Sequence, residues 1–116
     1  MGVTAKKFGN LTSGEEITLY HLENKSGAYA EVMDYGAILV KLCVPDKDGE
    51  LTDVVLGYDD VQQYEVNGCF FGVIIGRSGN RIAGAKFSLY GQEYQLDKNE
   101  NDNNLHIGPN GFEKKI

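Results

Sequence analysis

Two stretches of the chain carry residue types able to act on a polar ligand. The first is Gly76-Arg77-Ser78-Gly79-Asn80-Arg81-Ile82, in which two arginines and an asparagine sit between glycines. Glycine lets a backbone approach a ligand closely, and Arg and Asn are multi-donor groups. The spacing misses the Gly-x-x-x-x-Gly-Lys pattern of a phosphate loop, and no helix pattern follows. Surface arginines are ordinary, so spacing alone more often means a β-turn with solvated or salt-bridged side chains. The second stretch is Leu105-His106-Ile107-Gly108-Pro109. An imidazole, with an unperturbed pKa of about 6.5, suits proton transfer or neutral hydrogen bonding near pH 7. A lone His between apolar residues is nevertheless more often structural, and His21, with no glycine loop or polar cluster near it, reads as structural too. Asp46, Asp48 and Glu50 fail as a calcium loop, because Leu51 stands where its glycine belongs and no Glu occupies the twelfth position.

The elements that must position these residues read as short strands between turn clusters. Residues 18–23 are rich in β-formers, and residues 28–35 alternate, with Ala28, Ala30 and Val32 on one face and Tyr29, Glu31 and Met33 on the other. Residues 37–44 are almost continuously apolar, as in a strand covered on both faces. Pro45-Asp46-Lys47-Asp48-Gly49 is a turn in which Pro fixes φ, Asp bonds its own backbone and Gly supplies a positive φ. Residues 53–58 and 69–75 read as two further strands, the second buried, with Gly72 marking a bulge. Residues 59–64 are the one helical turn, with Asp60 as its cap and Gln63 three residues on. Residues 87–89 and 93–96 form a hairpin around Tyr90-Gly91-Gln92. The polar run 97–104 is a long loop, either functional or floppy.

Composition narrows the class. One small domain fits the 116 residues. Fifteen glycines with only two prolines mean many tight turns and an all-β chain. A net charge of −6 argues against nucleic acid and against an anionic membrane surface, since both need a basic face. No apolar run approaches the ~20 residues that span a bilayer. Cys43 and Cys69 lack metal-ligand spacing and read as reduced thiols, with a Cys43–Cys69 disulfide the minority alternative. The first ten residues lack an apolar signal core, so a cytoplasmic protein is expected.

Taken together, these blocks resemble the N-terminal part of the aldose 1-epimerase, or mutarotase, family. Phe8-Gly9 with the Gly-Glu pair that follows, Asp34-Tyr35-Gly36-Ala37, Val44-Pro45-Asp46 and Asp53-Val54-Val55-Leu56-Gly57-Tyr58 are similar to its opening blocks. Phe71-Gly72 through Gly76-Arg77, then Asn80-Arg81-Ile82 and Gly84, resemble its central motif. Phe87, Leu89, Gly91, Tyr94 and Leu96 match its hairpin, and Asn99, Leu105-His106 and Gly111-Phe112 the segment after it. Order and spacing make the match specific, although each block alone is weak.

The resemblance implies a fold and a site. Residues 1–116 would be a single partial domain, the N-terminal portion of a large antiparallel β-sandwich of the galactose mutarotase-like supersandwich type. The implied activity interconverts the α and β anomers of aldohexoses such as galactose and glucose, without cofactor or metal. Asn80, Arg81 and His106 would bind the sugar, and Arg77 would hold the loop. The family's acid histidine and base glutamate match nothing here and are expected beyond Ile116, so no catalytic residue is assigned and the segment alone is expected to be inactive. The family usually reads Leu-His-Gly-Gly, whereas Ile107 follows His106 here. The isolated segment is expected to self-associate or to pair with the missing C-terminal portion. The alternative reading is a non-catalytic carbohydrate-binding β-sandwich module.

Overall fold

The computed structural model describes residues 2–116, which fall into two compact units, one running to Val73 and one spanning Ile74–Lys115. The first unit is an antiparallel sheet of five strands in sequence order: β1 (Gly2–Asn10), β2 (Glu16–Glu23), β3 (Tyr29–Met33), β4 (Leu39–Pro45) and β5 (Leu51–Asp53). Register puts alternate residues on opposite faces. Leu19 faces Met33 and His21 faces Glu31, while Leu22 faces Ala30 and Ala30 faces Leu42. The first face is the core. Ile17, Leu19, Met33, Ile38 and Val40 are buried there with Val61 and Tyr64 of the short helix α1 (Val61–Val66). The alternation expected for residues 28–35 is observed, with Glu31 and Met33 on the buried face.

Helix α1 is set by its cap and by a close approach. Asp60 Oδ1 accepts from the Gln63 N–H at 3.0 Å, which satisfies one orphan donor of the first turn. A side chain at Gly9 would place a Cβ 2.9 Å from Val61 Cγ1, so glycine is what lets the helix sit on β1. The Tyr64 hydroxyl, in an almost fully buried side chain, accepts from the Tyr58 N–H at 2.9 Å.

Three expectations need correction. Residues 53–58 do not continue as a strand, since β5 stops at Asp53. The Asp53 carboxylate accepts from the Leu42 N–H at 3.1 Å and the Val55 N–H at 3.3 Å, so a side chain takes the place of the next ladder partner. Residues 69–75 form turns rather than a buried strand. Asn67 Nδ2 donates to the Phe71 carbonyl at 3.0 Å, Asn67 Oδ1 accepts from the Phe71 N–H at 2.9 Å, and Cys69 and Ile74 are exposed. Positive φ at Phe70 and Gly72 is incompatible with an extended strand. Strand β4, expected to be covered on both faces, buries Val40 and Cys43 but leaves Lys41 exposed and Leu42 and Val44 half-buried. The sequence reading also missed β1. As an edge strand it tolerates Lys6 and Lys7, which blur its alternation.

The second unit holds two small antiparallel pairs. Strands β6 (Arg81–Ile82) and β9 (Asn104–Leu105) pair with Arg81 opposite Leu105. Strands β7 (Lys86–Leu89) and β8 (Gln92–Gln95) form the expected hairpin, its two-residue turn at Tyr90 and Gly91 both with positive φ. Phe87 and Tyr94 stand opposite each other with stacked rings 5.1 Å apart.

Replacing Tyr64 by Phe keeps the ring and strands the Tyr58 N–H. Tyr64→Phe is expected to lower the unfolding free energy by about 1–2 kcal/mol in urea denaturation, whereas an unchanged midpoint would show that water replaces the hydroxyl.

Candidate functional site

The β6–β9 pair brings Asn80, Arg81 and His106 together. One residue before the ladder begins, the chains meet twice more: the His106 N–H donates to the Asn80 carbonyl at 3.0 Å, and the Asn80 N–H donates to His106 Nδ1 at 2.9 Å. With Nδ1 accepting, the proton of the neutral imidazole resides on Nε2, which makes Nε2–H the ring's donor. Neighbouring strand residues normally point to opposite faces. Asn80 has a φ of 61°, in the left-handed region that Asn tolerates, and this breaks the alternation. Its Oδ1 therefore reaches Arg81 Nη1 at 3.3 Å, side by side with the guanidinium.

The polar run 97–104 is an ordered scaffold built by asparagine side chains. Asn99 Nδ2 donates to the Leu105 carbonyl at 2.8 Å and its Oδ1 accepts from the Leu105 N–H at 2.7 Å, so the amide acts as a strand partner. Asn103 Oδ1 accepts from the Gly84 N–H at 3.2 Å, and the fully buried Asn104 donates from Nδ2 to the Asp97 carbonyl at 2.8 Å. The run also supplies Glu100, a residue the sequence reading did not single out. Arg81 Nε lies 2.9 and 2.7 Å from its two carboxylate oxygens, and Arg81 Nη2 donates to Glu100 Oε1. The hydrogen bonds from Arg81 hold the Glu100 carboxyl below the usual range, and the same bonds raise Arg81. Only the charge alternation of the run could have pointed to Glu100, and six other acidic or amide residues there fit that signal as well.

Arg77 stands apart from this group. Its guanidinium lies over the Phe112 ring, 5.7 Å from the centroid, a cation–π contact that pins the segment. A Cβ on Gly76 would come within 2.7 Å of the same ring, so the glycine makes room for it. Ile107 adopts a φ of 72°, an outlier for a β-branched residue and a conformation glycine takes without strain. His21 packs on the Tyr29 ring at 4.5 Å with its Nδ1 3.5 Å from Glu31 Oε1, as a structural residue would. Both cysteines are free, Cys43 buried and Cys69 exposed. Among the described residues, no three or more His, Cys, Asp or Glu side chains are grouped to hold a metal ion, and no helix is long and apolar enough to cross a membrane.

A small antiparallel scaffold that displays an amide, a guanidinium and an imidazole has the donor chemistry of a candidate polar-ligand site. Comparison with known proteins places it further. The family model described as aldose 1-epimerase matches residues 18–115. The chain is 36% identical to galactose mutarotase of Sus scrofa over 117 residues, covering 100% of this chain and 34% of that protein. It is 34% identical to aldose 1-epimerase of Escherichia coli K12 over 102 residues, covering 88% of this chain and 30% of that protein. A crystal structure of galactose 1-epimerase from Lactobacillus acidophilus superposes with a TM-score of 0.78 at 26% identity, over 97% of this chain and 32% of that one. A homologue from C. elegans gives the same TM-score at 36% identity, over 82% of this chain and 29% of its own. The chain belongs to the aldose 1-epimerase family. It spans about a third of the length of the curated relatives it matches, and its fold is that of the N-terminal part of the family's β-sandwich.

The Glu100 assignment is open to direct measurement. Because Arg81 favours the ionised carboxylate, the pair persists above the ordinary Glu range and is lost only as pH falls through the lowered value. The Glu100 Cδ resonance is expected to titrate below that of exposed glutamates and to return to their range in Arg81→Ala. A midpoint unmoved by that substitution would contradict the pairing.

Proposed function

We propose that Asn80, Arg81 and His106 form part of the aldose-binding site of a mutarotase, which interconverts the α and β anomers of aldohexoses such as galactose and glucose. The observation that carries this reading is the meeting of the three donor side chains on one scaffold, within the segment that the family model matches. A pyranose offers a ring of hydroxyls and a ring oxygen. A guanidinium fork, an amide and an imidazole N–H pair with such groups and fix the sugar's orientation.

Anomer exchange needs two proton transfers. A base takes the proton of the C1 hydroxyl while an acid protonates the ring oxygen; the C1–O5 bond opens, the aldehyde rotates, and the reverse steps close the other face. Base and acid must lie on opposite sides of the C1–O5 unit within hydrogen-bond reach. We assign this pair, a glutamate and a histidine, to the part of the protein that corresponds to the remaining two-thirds of the relatives. The role left to this segment is binding: Arg81 favours charge developing on sugar oxygens, and Asn80 and His106 hold the ring. The site needs no cofactor for this chemistry. The free thiols fit a reducing compartment such as the cytoplasm.

The same relation to longer relatives bears on the outer face of the five-stranded sheet. Val3, Leu22, Ala30, Leu42 and Val44 line a shallow, mostly apolar groove of about 340 Å³ there, and Val3, Tyr20 and Leu22 are exposed. Sheets of a sandwich cover one another's apolar faces. We assign the cover to the rest of a relative-length protein, and in an isolated 116-residue chain to other copies of itself. Sedimentation of the isolated chain is expected to show concentration-dependent association; a monomer at every concentration would count against it.

Two arginines separate binding from scaffolding. In the longest natural polypeptide containing this segment, Arg81→Ala is expected to lower the rate of mutarotation by about 100-fold in polarimetry, with the melting temperature nearly unchanged. Arg77→Ala is expected to lower stability by about 1 kcal/mol while sparing turnover. The assignment is wrong if Arg81→Ala unfolds the protein and Arg77→Ala abolishes activity in a folded one.

A further inference from the structure

We propose that Glu100 is a positioning residue for sugar recognition: it grips one edge of the Arg81 guanidinium and so presents the remaining donors to the ligand in a fixed direction. This rests on the aldose-binding reading above. An exposed arginine samples many rotamers, and a ligand that needs it must immobilise it on binding. Arg81 is half exposed, yet Nε and Nη2 are both held by one carboxylate and Nη1 contacts Asn80 Oδ1. A guanidinium has five N–H donors. Glu100 and Asn80 together engage three of them, one each on Nε, Nη2 and Nη1. One hydrogen on each of Nη1 and Nη2 is left over, and two donors on one rigid fork can pair with two oxygens on adjacent carbons, as in the vicinal hydroxyls of a pyranose.

Glu100 is itself fixed from behind. Its backbone bridges Asn103, with the Asn103 N–H donating to the Glu100 carbonyl at 2.9 Å. Asn103 is tied to Gly84, and Asn99, next to Glu100, is tied to Leu105 on β9. The carboxylate is thus anchored to β9, one residue before His106, and to Gly84, two residues after β6 ends. The hydrogen bonds from Arg81, with a smaller contribution from Asn103, hold its carboxyl below the usual carboxylate range.

The test uses the longest natural polypeptide containing this segment, with galactose as the probe. Affinity is measured by calorimetric titration for the parent, Arg81→Ala, Glu100→Ala, Glu100→Gln and the double Arg81→Ala/Glu100→Ala variant, and the Arg81 Nε–H is followed by NMR. Glu100→Ala is expected to weaken galactose binding about 3- to 10-fold, the cost of one side chain ordered only on binding. In the Arg81→Ala background it should have almost no further effect. Glu100→Gln, which keeps one acceptor oxygen, should recover part of the affinity and guards against a fold defect in the alanine variant. The Arg81 Nε–H should exchange slowly in the parent and fast in Glu100→Ala. Undiminished affinity in Glu100→Ala, alongside loss of binding in Arg81→Ala, would overturn the positioning role and leave the aldose site standing. A parent that binds neither galactose nor glucose, with the Nε–H still slow to exchange, would overturn the aldose reading and reduce the ion pair to scaffolding.

Discussion

Two hydrogen bonds between residues 80 and 106 hold the candidate site in register. One is an ordinary backbone bond that extends the β6–β9 ladder by a step; the other spends the Asn80 N–H on the imidazole of His106. The second bond links chemistry to fold. It sets which ring nitrogen carries the proton, and so decides what the side chain offers a ligand. It occurs with residues 80 and 106 both out of the extended conformation, at φ of 61° and 52°, and the left-handed turn at residue 80 puts the Asn80 amide beside Arg81. Remove that contact and three donors no longer converge.

The two units hold themselves together by different means. The five-stranded sheet buries Ile17, Leu19, Met33 and Ile38 completely or nearly so under Val61 and Tyr64, and hydrophobic burial carries it. The unit that carries the site buries few large apolar side chains, and Phe87 and Tyr94, though stacked, remain substantially exposed. Its loops are set instead by Asn99, Asn103 and Asn104, whose amides satisfy backbone groups that no ladder reaches. Such bonds set direction without a thick core: the Asn99 amide fixes a backbone acceptor and a backbone donor at once, while Asn103 holds the Gly84 N–H and Asn104 the Asp97 carbonyl.

The elements whose chemistry is local were legible in the sequence. The Asp60 cap, the turn at residues 45–49 and the hairpin at Tyr90-Gly91 each follow from residue types at fixed offsets. The family was legible from the order of weak blocks, and the family match agrees. What failed was the reading of apolar runs as strands. Residues 69–75 contain Phe70, Phe71, Val73, Ile74 and Ile75, yet the Asn67 side chain folds them into turns, and Asp53 cuts short the strand after it. Hydrophobicity reports burial, whereas a strand also needs a free backbone partner. Asn80, Arg81 and His106 were singled out as residue types, but their meeting depends on a positive φ and a cross-strand bond that spacing does not encode. Glu100 was hidden because its role comes entirely from where the asparagine-built loop sets it.

The central claim is that the fold fixes His106 as an Nε2–H donor within a sugar site. Long-range nitrogen–proton NMR of the imidazole, recorded during a galactose titration of the longest natural polypeptide containing this segment, tests it most directly. The account predicts an unprotonated, hydrogen-bond-accepting Nδ1 and a protonated Nε2 in the neutral ring, with Nε2 shifting as galactose binds and Nδ1 holding its place. A ring protonated on Nδ1, or an Nε2 signal indifferent to saturating galactose, would contradict it.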